Sequence, residues 1–576
     1  MRRLAVRGSD LSLFSRGLPA LTVLAALALT ACGGGGGDDA ASTPTTQQQA
    51  GDTNTPVTPT QPVLVTGLDQ ACSGYQCSAA TSAAFSGAGT GVWGHTNAGG
   101  TSEDVQFSIS GLAGTSISLL LTNLKDTLAL MPAGLSASML DSTTVTRLSP
   151  QALTADAEAE ARRREIAEFN RTGWAEKVAA AQPLRQTLGV PAPHAVAVPG
   201  VGSTKSWYHT DGSTRPATLR KQMTATDGTL VNFWVEDSQY NIANGIDSTI
   251  VDNLGAAFAG TGMIYDLLTG IGGAVWGANT HPDTVLPAGQ PIDIVILNFD
   301  GNGAPGGTVG YFWGLHNLLK TADSRSNESI SLYLDSETLA LGGATGMKAM
   351  KMTMAHEGTH MQNFYRRAVK MGTAYAYDDW LEEMTAMQME DFLSYSIDPT
   401  YNAIRDVRFP DFYRYSGFNC PLLTFTGGGT CESYSVSGSF GGFLDRQLGL
   451  PFYKDLLTRQ VVGSKTVLDQ AIQAAQPGLS FNLALTRWAA TNGSGMPADK
   501  APTGYGYPRW TDGTFELPEI DPASTANAAL RKLPASVPTF LQGLGTLPLK
   551  RTATADGVYS DKVRLPAGVT LSVVAY

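Results

Sequence analysis

Met354-Ala355-His356-Glu357-Gly358-Thr359-His360-Met361 is the stretch on which the reading of this chain turns. It contains no proline and sits within residues 346–369, whose apolar spacing is helical. Residues four apart on a helix share one face a turn apart, so His356 and His360 present two imidazoles to a single metal ion. Glu357 is rotated by about 100° from His356, placed to overlook such an ion without having to ligate it. A purely structural pair of histidines has no need of an acid beside them. The other five, His95, His194, His209, His281 and His316, are scattered along the chain and receive no role.

Working outward, a catalytic metal of this kind takes three protein ligands and keeps a position open. The next segment of interest is Asp379-Trp380-Leu381-Glu382-Glu383-Met384-Thr385-Ala386, within an expected helix over 378–395. Glu383 follows His360 by 23 positions, enough chain to finish one helix, turn at Gly372 and start a second helix beside the first. Adjacent helix positions differ by about 100°, so only one of Glu382 and Glu383 should face the histidines. Glu383 is the expected ligand, Glu382 is expected to point to solvent, and Glu390 is a lesser candidate. Small Ala386, one turn on from Glu383, lets the two helices approach.

This HExxH followed by W-x-x-E-x-x-A resembles the gluzincin group of zinc peptidases. More narrowly, residues 290–445 resemble the hyicolysin family of zinc metallopeptidases. The pieces are Asn298-Phe299-Asp300 with its Gly-rich turn, Gly310-Tyr311-Phe312, a strand at 329–335, His356 to Phe364, and Trp380-Leu381-Glu382-Glu383. The resemblance implies a zincin-like α+β catalytic domain holding one Zn2+ per chain on His356, His360 and Glu383. The metal would polarise a substrate carbonyl and a water, and Glu357 would act as general base toward that water and pass the proton to the leaving amine. It implies protein or peptide substrates. It also implies a tyrosine that stabilises the oxyanion: Tyr434 is the candidate, with Tyr375 and Tyr377 as competitors. Two positions depart from the pattern. Met384 stands where related motifs have Gly, and Met387 stands where a carboxylate would steady a ligand histidine. The G-x-M-E-N motif of related aminopeptidases is missing, which favours an endopeptidase. Strand 329–335 is expected to pair with an extended peptide. The rival reading is a surface adhesin or binding lipoprotein whose metal site is structural or inactive.

At the N-terminus, Arg2, Arg3, Arg7 and Arg16 precede an uncharged, mostly apolar run over 18–31, too short for a permanent membrane span and suited to a signal peptide. Leu29-Thr30-Ala31-Cys32 resembles the lipobox, at which Cys32 is acylated. Gly33 after it implies outer-membrane sorting in enteric lipoproteins. The protein is therefore expected to be exported and bound to the membrane through its N-terminal lipid only. Of five cysteines, four remain after Cys32. An even remainder in an exported chain suggests two disulfides. Of three possible pairings, Cys72–Cys77 and Cys420–Cys431 need least chain rearrangement, and no C-x-x-C spacing supports a zinc cluster. The formal net charge is −11, which argues against a nucleic-acid partner. The longest later basic run, Arg162-Arg163-Arg164, alternates with Glu158, Glu160, Glu165 and Glu168 and reads as a solvated, salt-bridged helix.

A chain of 576 residues is too long for one core. The expected organisation is a signal peptide at 1–31, a flexible tether at 32–66, a β-rich domain at 67–150, a helix and linker at 151–204, a catalytic domain at 205–500, and a C-terminal β module at 505–576. The N-terminal region could also serve as an inhibitory pro-segment.

Overall fold

The computed structural model describes residues 63–132, 135, 150–188, 198–426 and 431–576. The expected signal peptide, Cys32 and most of the tether lie outside the described residues, as do His194 and most of the linker.

One mixed six-stranded sheet organises the catalytic half. Its strands are β1 (Thr204–Tyr208), β2 (Thr214–Thr224), β3 (Leu230–Glu236), β4 (Ile292–Leu297), β5 (Gly310–Phe312) and β6 (Ile330–Asp335). They lie in the order β5-β6-β4-β3-β2-β1. β3, β4 and β6 run parallel, while β5 is antiparallel to β6. The parallel strands are covered on both faces, and so β4 (IDIVIL) and β6 (ISLYLD) are buried at every position. β6 lies between β4 and β5, so the expected pairing of 329–335 with a substrate does not hold: both edges of that strand are already taken. The edge strand on this side is β5, and β1 forms the opposite edge.

Helices α1 (Pro150–Glu168) and α2 (Trp174–Leu188) are joined by a π-helical turn, Phe169–Gly173. α3 (Ser248–Ala259) and α4 (Ile264–Gly272) fold the apolar stretch Ser248–Gly272 into two helices packed against the core. α5 (Ser336–Leu341) leads into α6 (Gly343–Asn363), and α7 (Asp379–Ile397) packs beside α6. There follow α8 (Phe409–Arg414), α9 (Ser433–Thr458), α10 (Ser464–Ala475) and α11 (Phe481–Ser494). α9 is two helices run together, as the spacing over 437–448 and 451–461 suggests: Gly449, with a non-helical φ of 73°, separates them just before Pro451.

The second core belongs to the β region, and here the boundaries differ from expectation. One sheet places Val569–Ala575 between Ile117–Asn123 and Gly91–Thr96, antiparallel to both. Thr546–Arg551 adds to the free side of Ile117–Asn123. In a second sheet Tyr559–Leu565 and Val63–Thr66 flank Glu103–Ile109. Segments 67–150 and 505–576 therefore do not form two modules but one pair of sheets, and the last four tether residues join it. The reason is burial: Val569–Ala575 is buried at all seven positions and needs a neighbour on each side. Trp93, Val105, Leu119 and Val573 share the resulting core.

Candidate metal centre

α6 carries the two histidines into the interior. Met350, Met354, Ala355 and Met361 bind it to the catalytic core, while His356, Glu357 and His360 line a cleft of about 1110 Å3. Two glycines set its neighbours. A Cβ at Gly358 would stand 2.6 Å from Leu268 of α4. A Cβ at Gly310 would strike Thr353 and come within 3.4 Å of Glu357 Oε1. The edge strand β5 thus lies directly against the HExxH turn because its first residue lacks a side chain.

α7 supplies the third donor. Glu383 Oε2 is 3.1 Å from His356 Nε2 and 3.6 Å from His360 Nε2. The three groups offer ligand atoms that lie within 4.8 Å of one another. Two imidazoles and one carboxylate converging on a point form a donor set that suits zinc, and the set opens into the cleft.

The outer nitrogens are also occupied. His356 Nδ1 donates to Glu390 Oε1 at 2.6 Å, and His360 Nδ1 donates to Glu382 Oε1 at 2.9 Å. With the proton on Nδ1, each Nε2 lone pair faces the common point. Glu382 therefore does not point to solvent. It holds the second histidine and accepts from Asn363 Nδ2 at 3.2 Å. Glu390, two helical turns beyond Glu383, does for His356 what the missing carboxylate at position 387 cannot. Met384 leaves the pocket untouched, since it packs on α9 at Gly441.

Electrostatics follow from these contacts. Burial opposes ionisation of Glu383, but the two histidines hold its carboxyl well below the usual range. Burial likewise opposes a charge on His356, yet Glu383 and Glu390 outweigh it and raise it to about 9. An ion entering this site must displace those protons. For Glu357 burial is the largest influence, and it pushes the carboxyl up.

Tyr434 stands at the N-terminus of α9, its hydroxyl donating to Glu383 Oε1 at 3.5 Å and its ring edge-on to Phe425. The segment carrying Phe425 is closed by the Cys420–Cys431 disulfide, and Cys72–Cys77 forms the second. The Tyr377 hydroxyl is committed to the Leu456 carbonyl at 2.6 Å. Tyr375 is joined to Arg367 through its backbone carbonyl.

Residue reading missed the inward turn of Arg163. Arg162 and Arg164 pair with Glu158 and Glu160 four residues back along the helix, as expected. Arg163 enters the cleft, with 16% of its side chain exposed, and reaches Asp379 and Glu383. Nothing in its local pattern separates it from its neighbours. Glu390, by contrast, lies two turns along the Glu383 face of the same helix, where the sequence offers it as an alternative ligand.

A family described as Peptidase M30 matches residues 211–576, and one described as Domain of unknown function (DUF8571) matches residues 70–134. The first match runs to the end of the chain and so includes the C-terminal strands of the shared β sheets, while their N-terminal strands lie outside it. A search of curated proteins finds no match. M30 peptidases are metal-dependent, and the matched segment covers most of this chain together with its His-His-Glu cluster. This protein belongs to the peptidase M30 family.

Proposed function

We propose that this protein is an exported, lipid-anchored, zinc-dependent endopeptidase. The observation that carries the reading is the convergence of His356, His360 and Glu383 beside Glu357 in one cleft. His356, His360 and Glu383 would hold the ion, which when bound supplies Lewis acidity to the substrate carbonyl and to water. Glu357 takes a proton from water at its carboxylate and returns it to the leaving amine. Burial raises this carboxyl, which makes it a better base than a solvated glutamate. Tyr434 donates from its hydroxyl to the developing oxyanion. An extended peptide lies along β5, the strand pressed against the HExxH turn. The lipid on Cys32 and the tether behind it hold the folded part away from the membrane surface.

The test is zinc analysis of chain from residue 63 onward, followed by casein digestion with and without chelator. One zinc per chain and chelator-sensitive cleavage are expected. Glu357→Gln should keep the zinc and lose activity by about 100-fold or more. No zinc after reconstitution removes the reading. Zinc without cleavage across a broad substrate screen supports the binding-lipoprotein alternative.

A further inference from the structure

Glu383 has two carboxylate oxygens, and they face different groups. Oε2 faces both histidines. Oε1 faces the Tyr434 hydroxyl at 3.5 Å and the Arg163 guanidinium at 3.8 Å. A carboxylate that binds an ion through one oxygen must be kept from rotating the other into its place. A tyrosine hydroxyl at 3.5 Å is a weak restraint. A fixed cation on the same side is a stronger one.

Arg163 is fixed. Its Nε and Nη2 donate to the two oxygens of Glu160 at 2.9 and 3.0 Å, and its Nη1 donates to Asp379 at 3.0 Å. Its guanidinium carbon lies 4.8 Å from the centre of the Phe425 ring. Asp379 precedes Glu383 by four residues on α7, so one guanidinium spans a whole turn of that helix. Three carboxylates surround this one cation, which offsets its repulsion of a metal ion nearby. The turn and helix that follow α1 are anchored in the catalytic core: Phe169 of the turn meets Trp313, and Trp174 of α2 meets Phe364 and His281, all edge to face. Yet α1 and α2 precede the segment that defines the family, which begins at residue 211.

We infer that Arg163, contributed by α1 from outside the family segment, is a positioning residue that holds the Glu383 carboxylate in its metal-binding orientation. Helix α1 is on this account an integral wall of the site and not a detachable inhibitor. The inference rests on the metal-site reading above. The conversion of an exposed-looking arginine into a working part of the centre is a property of this chain's N-terminal extension.

The experiment is zinc titration against a competing chelator, on the parent and on full-length Arg163→Ala, Arg163→Lys and Lys177→Ala. Lys177 pairs with Asp323 at 3.1 Å and docks α2 elsewhere, so it reports on helix docking alone. Arg163→Ala should bind zinc about 10- to 100-fold more weakly, the usual cost of losing a group that orients a ligand. Arg163→Lys should recover part of the loss, since it restores charge without the fork. Lys177→Ala should match the parent, and the metal-free variants should melt alike. Parent-like zinc affinity in Arg163→Ala overturns the inference, as does increased peptidase activity, which would make α1 an inhibitor. If Arg163→Ala fails to fold, a tenfold loss in Arg163→Gln with a smaller loss in Arg163→Lys supports the inference, and parent-like affinity in Arg163→Gln overturns it. A parent that takes up no zinc defeats the metal-site reading itself.

Discussion

Two glutamates of the centre are buried alike and are shifted in opposite directions because of what they touch. Glu357 has burial as its main influence and is pushed up; Glu383 meets two imidazoles and is held down. Opposite shifts of this kind suit the proton-handling acid and the ionised ligand proposed above. Around them Glu382 and Glu390 each hold the outer nitrogen of one histidine. These four carboxylates should therefore separate in a zinc titration. Glu383→Ala should abolish tight binding, while Glu382→Gln and Glu390→Gln should each weaken it about 10- to 100-fold. Parent-like affinity in Glu382→Gln would mean that its bond to His360 does no positioning.

At the scale of elements, the centre is a contact between two helices and a strand. α7 offers Asp379, Glu382, Glu383 and Glu390 toward the site, and α6 approaches it closely, with Ala386 buried between larger neighbours. α2 is fastened separately, through Lys177 and the loop that precedes β6. There burial disfavours the Asp323 charge, but Arg325 and Lys177 overcome it and hold the carboxyl down to about 2. Its folded value lies below its unfolded one, so its stabilisation is complete above about pH 4 and fades as pH falls toward 2. The amount is at most about 2 kcal/mol, because Arg325 and Lys177 are partly exposed and solvent screens their pull. Urea unfolding of the parent and Asp323→Asn should differ at pH 6 and converge by pH 2. A pH-independent difference would mean that the carboxylate charge contributes nothing there.

For the molecule as a whole, the last strand is the central one. Val569–Ala575 pairs with strands near the start of the described chain on both its edges. A chain ending at residue 568 should lose the β core that holds Trp93 and Leu119, not merely fray at its end. Trp93 fluorescence, read against a variant with other tryptophans replaced, and limited proteolysis near residue 100 check this. Native-like protection in the truncated chain would show that the strand is dispensable.

Local pattern sufficed wherever the physics is local. The i, i+4 spacing of His356 and His360, the register that selects Glu383 over Glu382, and the short loops closed by Cys72–Cys77 and Cys420–Cys431 all follow from distances along the chain. Short, mostly apolar runs mark β4 and β6 as strands for the same reason. Which strand forms the sheet edge depends on the loop that brings Gly310 back against Leu334, and a single strand's composition does not encode its neighbours. The union of 67–150 with 505–576 joins residues more than 400 apart, and each half read alone looks like a domain of its own. Arg163 shows the limit most plainly. Among three consecutive arginines the helix turn sends one inward, and only the packing of α1 across α7 decides which carboxylates it meets. Spacing selected the His-His-Glu cluster; tertiary packing decided which groups meet it, because charge partners distant in sequence are chosen by the fold.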